Sequence, residues 1–117
     1  MNTWDKEIFT VDTNADFLDE LAELDFDEVF DTVRDAVLLA ARQESPTEDE
    51  LLNGQAGATI TAIWAGAPFS AGDIAETYPF IRRHPEEIDE QLMDAAAAVL
   101  EEADTEADLE QFLEALS

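Results

Sequence analysis

Between Leu51 and Gly72 the chain reads LLNGQAGATITAIWAGAPFSAG, with no Asp, Glu, Lys, Arg or His. The whole chain of 117 residues carries 30 Asp and Glu against 5 Lys and Arg, a formal net charge of -25. A chain so dense in acid holds an uncharged stretch of that length in water only by enclosing it. The first part of the stretch is therefore expected to be a central helix, with the other helices packed around it.

Local signals agree. Ser45-Pro46-Thr47-Glu48 reads as a helix start, with Ser45 as cap, Pro46 at the first helical position and Glu48 completing a capping box. Such a cap stabilises a helix by about 1 kcal/mol. Leu52, Ala56, Ile60, Ile63 and Trp64 then recur at three- and four-residue steps, and Gly66-Ala67-Pro68 is expected to end the helix. Gly54, Gly57 and Ala58 lie inside it, and each glycine costs about 1 kcal/mol of propensity. Close approach of a neighbouring helix is the expected compensation. A membrane span is the competing reading, but Asn53, Gln55, Thr59, Thr61 and the early Pro68 leave the apolar run too short for a bilayer.

Length points to one domain, residues 1–117, with room for a core. Apolar content of 46% argues against an acidic disordered tail. Cysteine is absent, which excludes disulfides, thiolate metal sites and a Cys nucleophile. MNTWDKEIFTV lacks the basic start and apolar run of a signal peptide, so a cytoplasmic location is expected. The negative field repels nucleic acid and anionic membrane, favours a basic partner, and opposes compaction by self-repulsion. Salt is therefore expected to stabilise the fold. The bland alternative is that the acidity serves solubility or reflects an organism with generally acidic proteins.

The expected fold is all-α, a bundle of about five helices with Met1–Val11 as an irregular segment tied on by Trp4, Ile8 and Phe9. The first helix runs from Thr13 to Leu24, capped by Asp12 or Thr13, and buries Phe17, Leu18, Leu21 and Leu24. A second starts at Asp25, with Glu28 closing a capping box and Leu24 stapled onto Val29. It buries Phe26, Phe30, Val33, Val37 and Ala41, and Arg42 meets its negative end. Residues 67–84 form a loose inter-helix segment, with one short turn at Ser70-x-x-Asp73 and a break at Tyr78-Pro79. Pro85 opens a helix to Ala103 that buries Ile88, Leu92, Ala95, Ala96, Val99 and Ala103. Thr105-x-x-Asp108 caps the last helix, with Leu109, Phe112, Leu113 and Leu116 inside.

The opening pattern Trp4-x4-Phe9-x2-Asp12-Thr13-x-Ala15-Asp16-Phe17-Leu18-x2-Leu21 resembles the start of the uncharacterised bacterial family known as domain of unknown function 4259. Members open with a Gly-Trp pair, then a Phe, an Asn-Asp pair and an Ala-x-Asp-Phe helix start. Here Asn2 stands where the family often has Gly, Asp5 and Glu7 replace further glycines, and Val11 replaces the Asn. The resemblance implies a helical domain of this length and gives the residues of the pattern (Trp4, Phe9, Asp12, Asp16, Phe17) a structural role. It implies no activity.

Three constellations bear on chemistry. Asp12-x-Asn14-x-Asp16 with Glu23 at the twelfth position follows a calcium loop, but Phe17 occupies the sixth position, where the turn requires Gly, and Asp19 the eighth. Helix-start acids explain it better. The pairs Glu20/Glu23, Glu86/Asp89 and Glu87/Glu90 suit a divalent-metal hydrolase, which needs two such pairs converging across helices. At this acid density chance alone supplies roughly seven such pairs. A di-iron bundle needs two Glu-x-x-His motifs, and three residues before the only histidine, His84, stands Ile81.

Arg82-Arg83-His84, beside Tyr78, is the one cationic cluster. It is the candidate contact for an acidic group on a partner or ligand, against the plainer reading that it neutralises Glu86 and Glu87 or caps the helix at Pro85. No catalytic residue, metal site or cofactor is assigned. The expected function is a non-catalytic acidic interaction domain for a basic protein partner, with an inhibitor- or immunity-type role in keeping. A divalent-metal hydrolase is the alternative.

Overall fold

The structure, a computed structural model, describes residues 4–42, 47–67, 76–82, 88–102 and 109–116. Within them lie six α-helices: α1 (Trp4–Phe9), α2 (Asp12–Ala22), α3 (Phe26–Arg42), α4 (Glu48–Trp64), α5 (Glu90–Glu101) and α6 (Glu110–Leu116). A 3-10 turn, Pro79–Arg82, follows α4. The described residues contain no strand, and the fold is an all-α bundle. The Cα radius of gyration, 12.5 Å, is close to the roughly 13 Å expected of a single compact body of this length.

Helix α4 is the axis. It packs against every other helix and the 3-10 turn, and each residue from Gly54 to Trp64 is buried. Ile60, Ile63 and Trp64 lie inside, as their freedom from charge requires. Buried hydroxyls are satisfied within the helix: Thr59 Oγ1 donates to the Gln55 carbonyl at 2.8 Å and Thr61 Oγ1 to the Gly57 carbonyl at 2.8 Å. The glycines serve the approach of α3. A Cβ built on Gly54 would lie 2.3 Å from Ala40 Cβ, and one on Gly57 would lie 3.0 Å from Val37 Cγ2.

The start of α4 differs from the expected one. Thr47, extended at φ -66 and ψ 162, is the cap, and its hydroxyl accepts from the Glu50 N–H while Glu50 accepts from the Thr47 N–H. Ser45 and Pro46 lie outside the described residues. Both Ser45-x-x-Glu48 and Thr47-x-x-Glu50 have capping-box spacing. Starting at Thr47 places Glu48, Asp49 and Glu50 together in the first turn, against the positive end of the helix dipole. The helix ends as expected: Ala67 N–H bonds the Ala62 carbonyl at 3.0 Å and Gly66 N–H the Ile63 carbonyl at 3.0 Å, with Gly66 at φ 115. That is a Schellman stop, whose reversed residue favours glycine.

The N-terminal segment is helical from Trp4 to Phe9, not irregular, because Trp4 and Ile8, four apart, share the face that meets α4. Trp4 Nε1 donates to Thr59 Oγ1 at 2.7 Å inside the core. Helix α2 starts one residue earlier than expected, with Val11 at the capping position and no side-chain cap. It stops at Ala22, which leaves Leu24 37% exposed instead of buried or stapled.

In α3 the buried residues are Val29, Val33, Val37, Leu38 and Ala40, while Phe26, Phe30 and Ala41 are half-buried. Phe26 and Phe30 begin the same stripe and meet Trp64 at the end of α4, while Val33, Val37 and Ala40 further along α3 meet the glycines. Helix α5 begins at Glu90, five residues after the expected start at Pro85, and is capped by Asp89, which is extended (φ -72, ψ 152). Leu100 joins Leu92, Ala96 and Val99 inside, and Ala95 is half-buried. Phe112 and Leu116 of α6 are buried, with Leu109 and Leu113 half-buried. The segment read as loose contributes Ile81, fully buried, to the core. The expected turn at Ser70–Asp73, Pro85, Ala103 and the Thr105–Asp108 cap lie outside the described residues.

Candidate functional site

Of the four candidate contact residues, Tyr78 is the one whose side chain is described. Arg83 and His84 lie outside the described residues, as does the side chain of Arg82, whose backbone closes the 3-10 turn. Tyr78 is half-buried, and its hydroxyl donates to Asp19 Oδ1 on α2. That hydrogen bond, then burial, then the charges of Asp19 and Asp16 hold the phenol above its ordinary value of 10.0. The Tyr78 and Phe80 rings sit 6.0 Å apart.

From Phe80 the contacts run into the core. Its carbonyl accepts from Trp64 Nε1 at 3.2 Å. Phe30 stacks on Trp64 with ring centroids 5.7 Å apart, and Phe26 meets it edge-on at 5.8 Å. The end of α4, the start of α3 and the 3-10 turn thus bring five aromatic rings to one end of the bundle. Four of them, Phe26, Phe30, Tyr78 and Phe80, remain partly open to solvent. Every carboxylate from Asp12 to Asp35 on α2 and α3 is exposed, and Arg34 is the only cation in that span.

Among the described residues the carboxylate pairs do not assemble a metal centre. Glu20 and Glu23 are exposed on α2. Asp89 is engaged on both oxygens: Oδ1 accepts from the Leu92 N–H at 2.7 Å and Oδ2 from Arg34 Nε at 3.0 Å. Its carboxyl is held below its ordinary value of 3.8, first by the Leu92 N–H and then by Arg34, with burial opposing. Glu86 and Glu87 lie outside the described residues. Among the described residues no three His, Asp or Glu side chains stand where they could hold a metal ion. In the calcium-like pattern, Asp12 and Asp16 face solvent while Asn14 is fully buried, its Nδ2 donating to the Ile8 carbonyl at 2.9 Å. Among the described residues, Asn14 Oδ1 and Asn53 Oδ1 are buried without a protein donor. Among the residues of the opening pattern, Trp4, Phe9 and Phe17 are core, and Asp12 and Asp16 are surface.

Sequence reading missed two features. Arg34 reaches Asp89 and, through its second nitrogen, Gln91 Oε1 at 3.1 Å, joining α3 to α5 across more than fifty residues. The aromatic end was also missed: in the sequence Phe26 and Phe30 read as the buried face of a helix and Tyr78-Pro79 as a break, and no local spacing joins them to Trp64. The class these observations define is an all-α bundle with an acid surface and an aromatic end. Comparison of the chain with known protein families, curated proteins and solved structures found no match in any of the three. No helix among the described residues is long and apolar enough to cross a membrane.

Proposed function

We propose that the chain is a non-catalytic acidic interaction domain that binds a basic protein surface in the cytoplasm, an inhibitor- or immunity-type role being of the same kind. The observation that carries this reading is the outward array of carboxylates on α2 and α3, exposed over a core that needs none of them. A field of one sign speeds encounter with the opposite sign and repels like-charged partners. Its binding weakens with salt, because the Debye length shrinks to about 8 Å at 0.15 M.

The test is retention of partners by the immobilised full chain at low and at physiological ionic strength. A basic protein that binds saturably, and elutes as salt rises, supports the reading. Retention of nothing at low ionic strength overturns it. A thermal-shift series with Mg²⁺, Mn²⁺ and Ca²⁺ at fixed ionic strength tests the hydrolase alternative, which requires saturable stabilisation by one metal beyond the effect of NaCl.

A further inference from the structure

The contacts at the aromatic end close a ring. Leu24, exposed in the turn between α2 and α3, is two residues from Phe26. Phe26 meets Trp64, Trp64 holds the Phe80 carbonyl, Phe80 lies beside Tyr78, and Tyr78 bonds Asp19, one helical turn before Glu23. The ring therefore returns to α2, and its apolar members are bordered by the acids of α2 and α3. Leu24 lies exposed two residues from half-buried Phe26 and between the exposed Glu23 and Asp25, and this combination of apolar, aromatic and acidic groups is complementary to a side chain that is both flat and cationic. Arginine fits that description better than lysine: its guanidinium stacks on aromatic rings and is weakly hydrated.

We infer that this end of the bundle is the docking surface, and that its occupant is an arginine-bearing segment of a partner protein that also presents an apolar residue to Leu24. The inference rests on the reading of the chain as a binder of basic partners, and it goes further by placing the contact at one end instead of over the whole acidic surface. The aromatic rings receive the guanidinium, Leu24 meets the apolar residue, and the carboxylates around Glu20 and Glu23 steer the approach.

Two charge reversals of equal size separate the two ideas. Glu20→Lys/Glu23→Lys changes the last turn and cap of α2; Glu101→Lys/Glu102→Lys changes the last turn and cap of α5. Both pairs are exposed, both sit at negative helix ends, and both alter net charge equally. The probe is a synthetic peptide alternating Arg and Leu, with a control of identical charge in which Ser replaces Leu. Titration into the full chain at physiological ionic strength is followed by tryptophan fluorescence and calorimetry.

The Arg-Leu peptide is expected to bind more tightly than the Arg-Ser control. The α2 reversal should weaken it by about tenfold and the α5 reversal by about twofold or less. Leu24→Ser, a surface change, should weaken it by about threefold, since only about a third of that side chain is open to gain burial. Equal losses from the two reversals, or no preference for the Leu-bearing peptide, overturn the placement while leaving a diffuse acidic binder intact. Absence of binding to either peptide at low ionic strength overturns the broader reading as well.

Discussion

From Gly54 to Trp64, α4 is buried on all sides, whereas α2 and α3 each bury one stripe and turn their carboxylates to water. The two regions are specified by different physics. In this part of α4 the constraint is shape: small residues face α3, threonines bond their own helix, and from Gly54 onward no charge is present. On α2 and α3 the constraint is sign: the outward positions can vary in size but are predominantly acidic, with Arg34 and Arg42 the cations. Changes of volume should therefore be felt in α4 and hardly on the acid face, and changes of charge should do the reverse.

The largest break of that contrast is Gly54→Val. With Ala40 Cβ only 2.3 Å from where a methyl would lie, the helices must part, at a cost of about 3 kcal/mol in chemical denaturation. Ala40→Gly, combined with it, should return part of that loss, because the two positions share one gap and their effects do not add. Full additivity would show that α3 and α4 do not meet as described. Next in size is Thr59→Val, which keeps the volume but strands the buried Trp4 indole N–H. It should cost about 2 kcal/mol and loosen α1 first, read as earlier hydrogen exchange at the N-terminus.

What was legible in the sequence follows the same division. Enclosure of α4 could be read because absence of charge is unambiguous, and its end because Gly66 and Pro68 permit no continuation. Its start slipped by two residues because Ser45 and Thr47 both satisfy the local grammar, and the choice rests on where three acids sit relative to the dipole. Helix α1 escaped notice since six residues are too few to show a period, and its helicity comes from docking Trp4 and Ile8 onto α4. On α3 the expected Val33 and Val37 are buried, whereas Phe26, Phe30 and Ala41 are only half-buried and Ala40, which meets Gly54, takes the inner place expected of Ala41. The aromatic end is tertiary: Tyr78 and Asp19 are 59 apart in sequence, and no local pattern pairs them.

The acid face is sharpened by Asp89→Ala, which removes a cap and the Arg34 contact and should cost about 1 kcal/mol at neutral pH. The sign with pH is fixed by the lowered carboxyl. Its contribution is fully present above the unfolded value of 3.8 and is lost as pH falls through the lower folded value. Wild type and variant should therefore converge only in strong acid. Over the same descent the remaining carboxylates neutralise and self-repulsion eases in both proteins alike, so the difference between them isolates Asp89. A gap that closes well above pH 4 would mean that the carboxylate is not held as described.

The smallest effect expected is that of Tyr78→Phe, about 0.5 kcal/mol at neutral pH, since the bond it removes lies at the surface. Its sign in alkali runs opposite to that of Asp89. The phenol is raised in the fold, so its contribution is present below the unfolded value of 10.0 and disappears as pH rises through the higher folded value, where the phenolate would face Asp19 and Asp16. The chain has one tyrosine, so phenolate absorbance reports this group alone. The expected titration is displaced upward in the native protein and returns to its ordinary position when the chain is unfolded by urea. It should also move downward in Asp19→Asn, which keeps an acceptor but removes the charge. An undisplaced titration would detach Tyr78 from α2 and open the ring of contacts at the aromatic end, leaving the acid face of α2 and α3 without the apolar floor that distinguishes it from the rest of the surface.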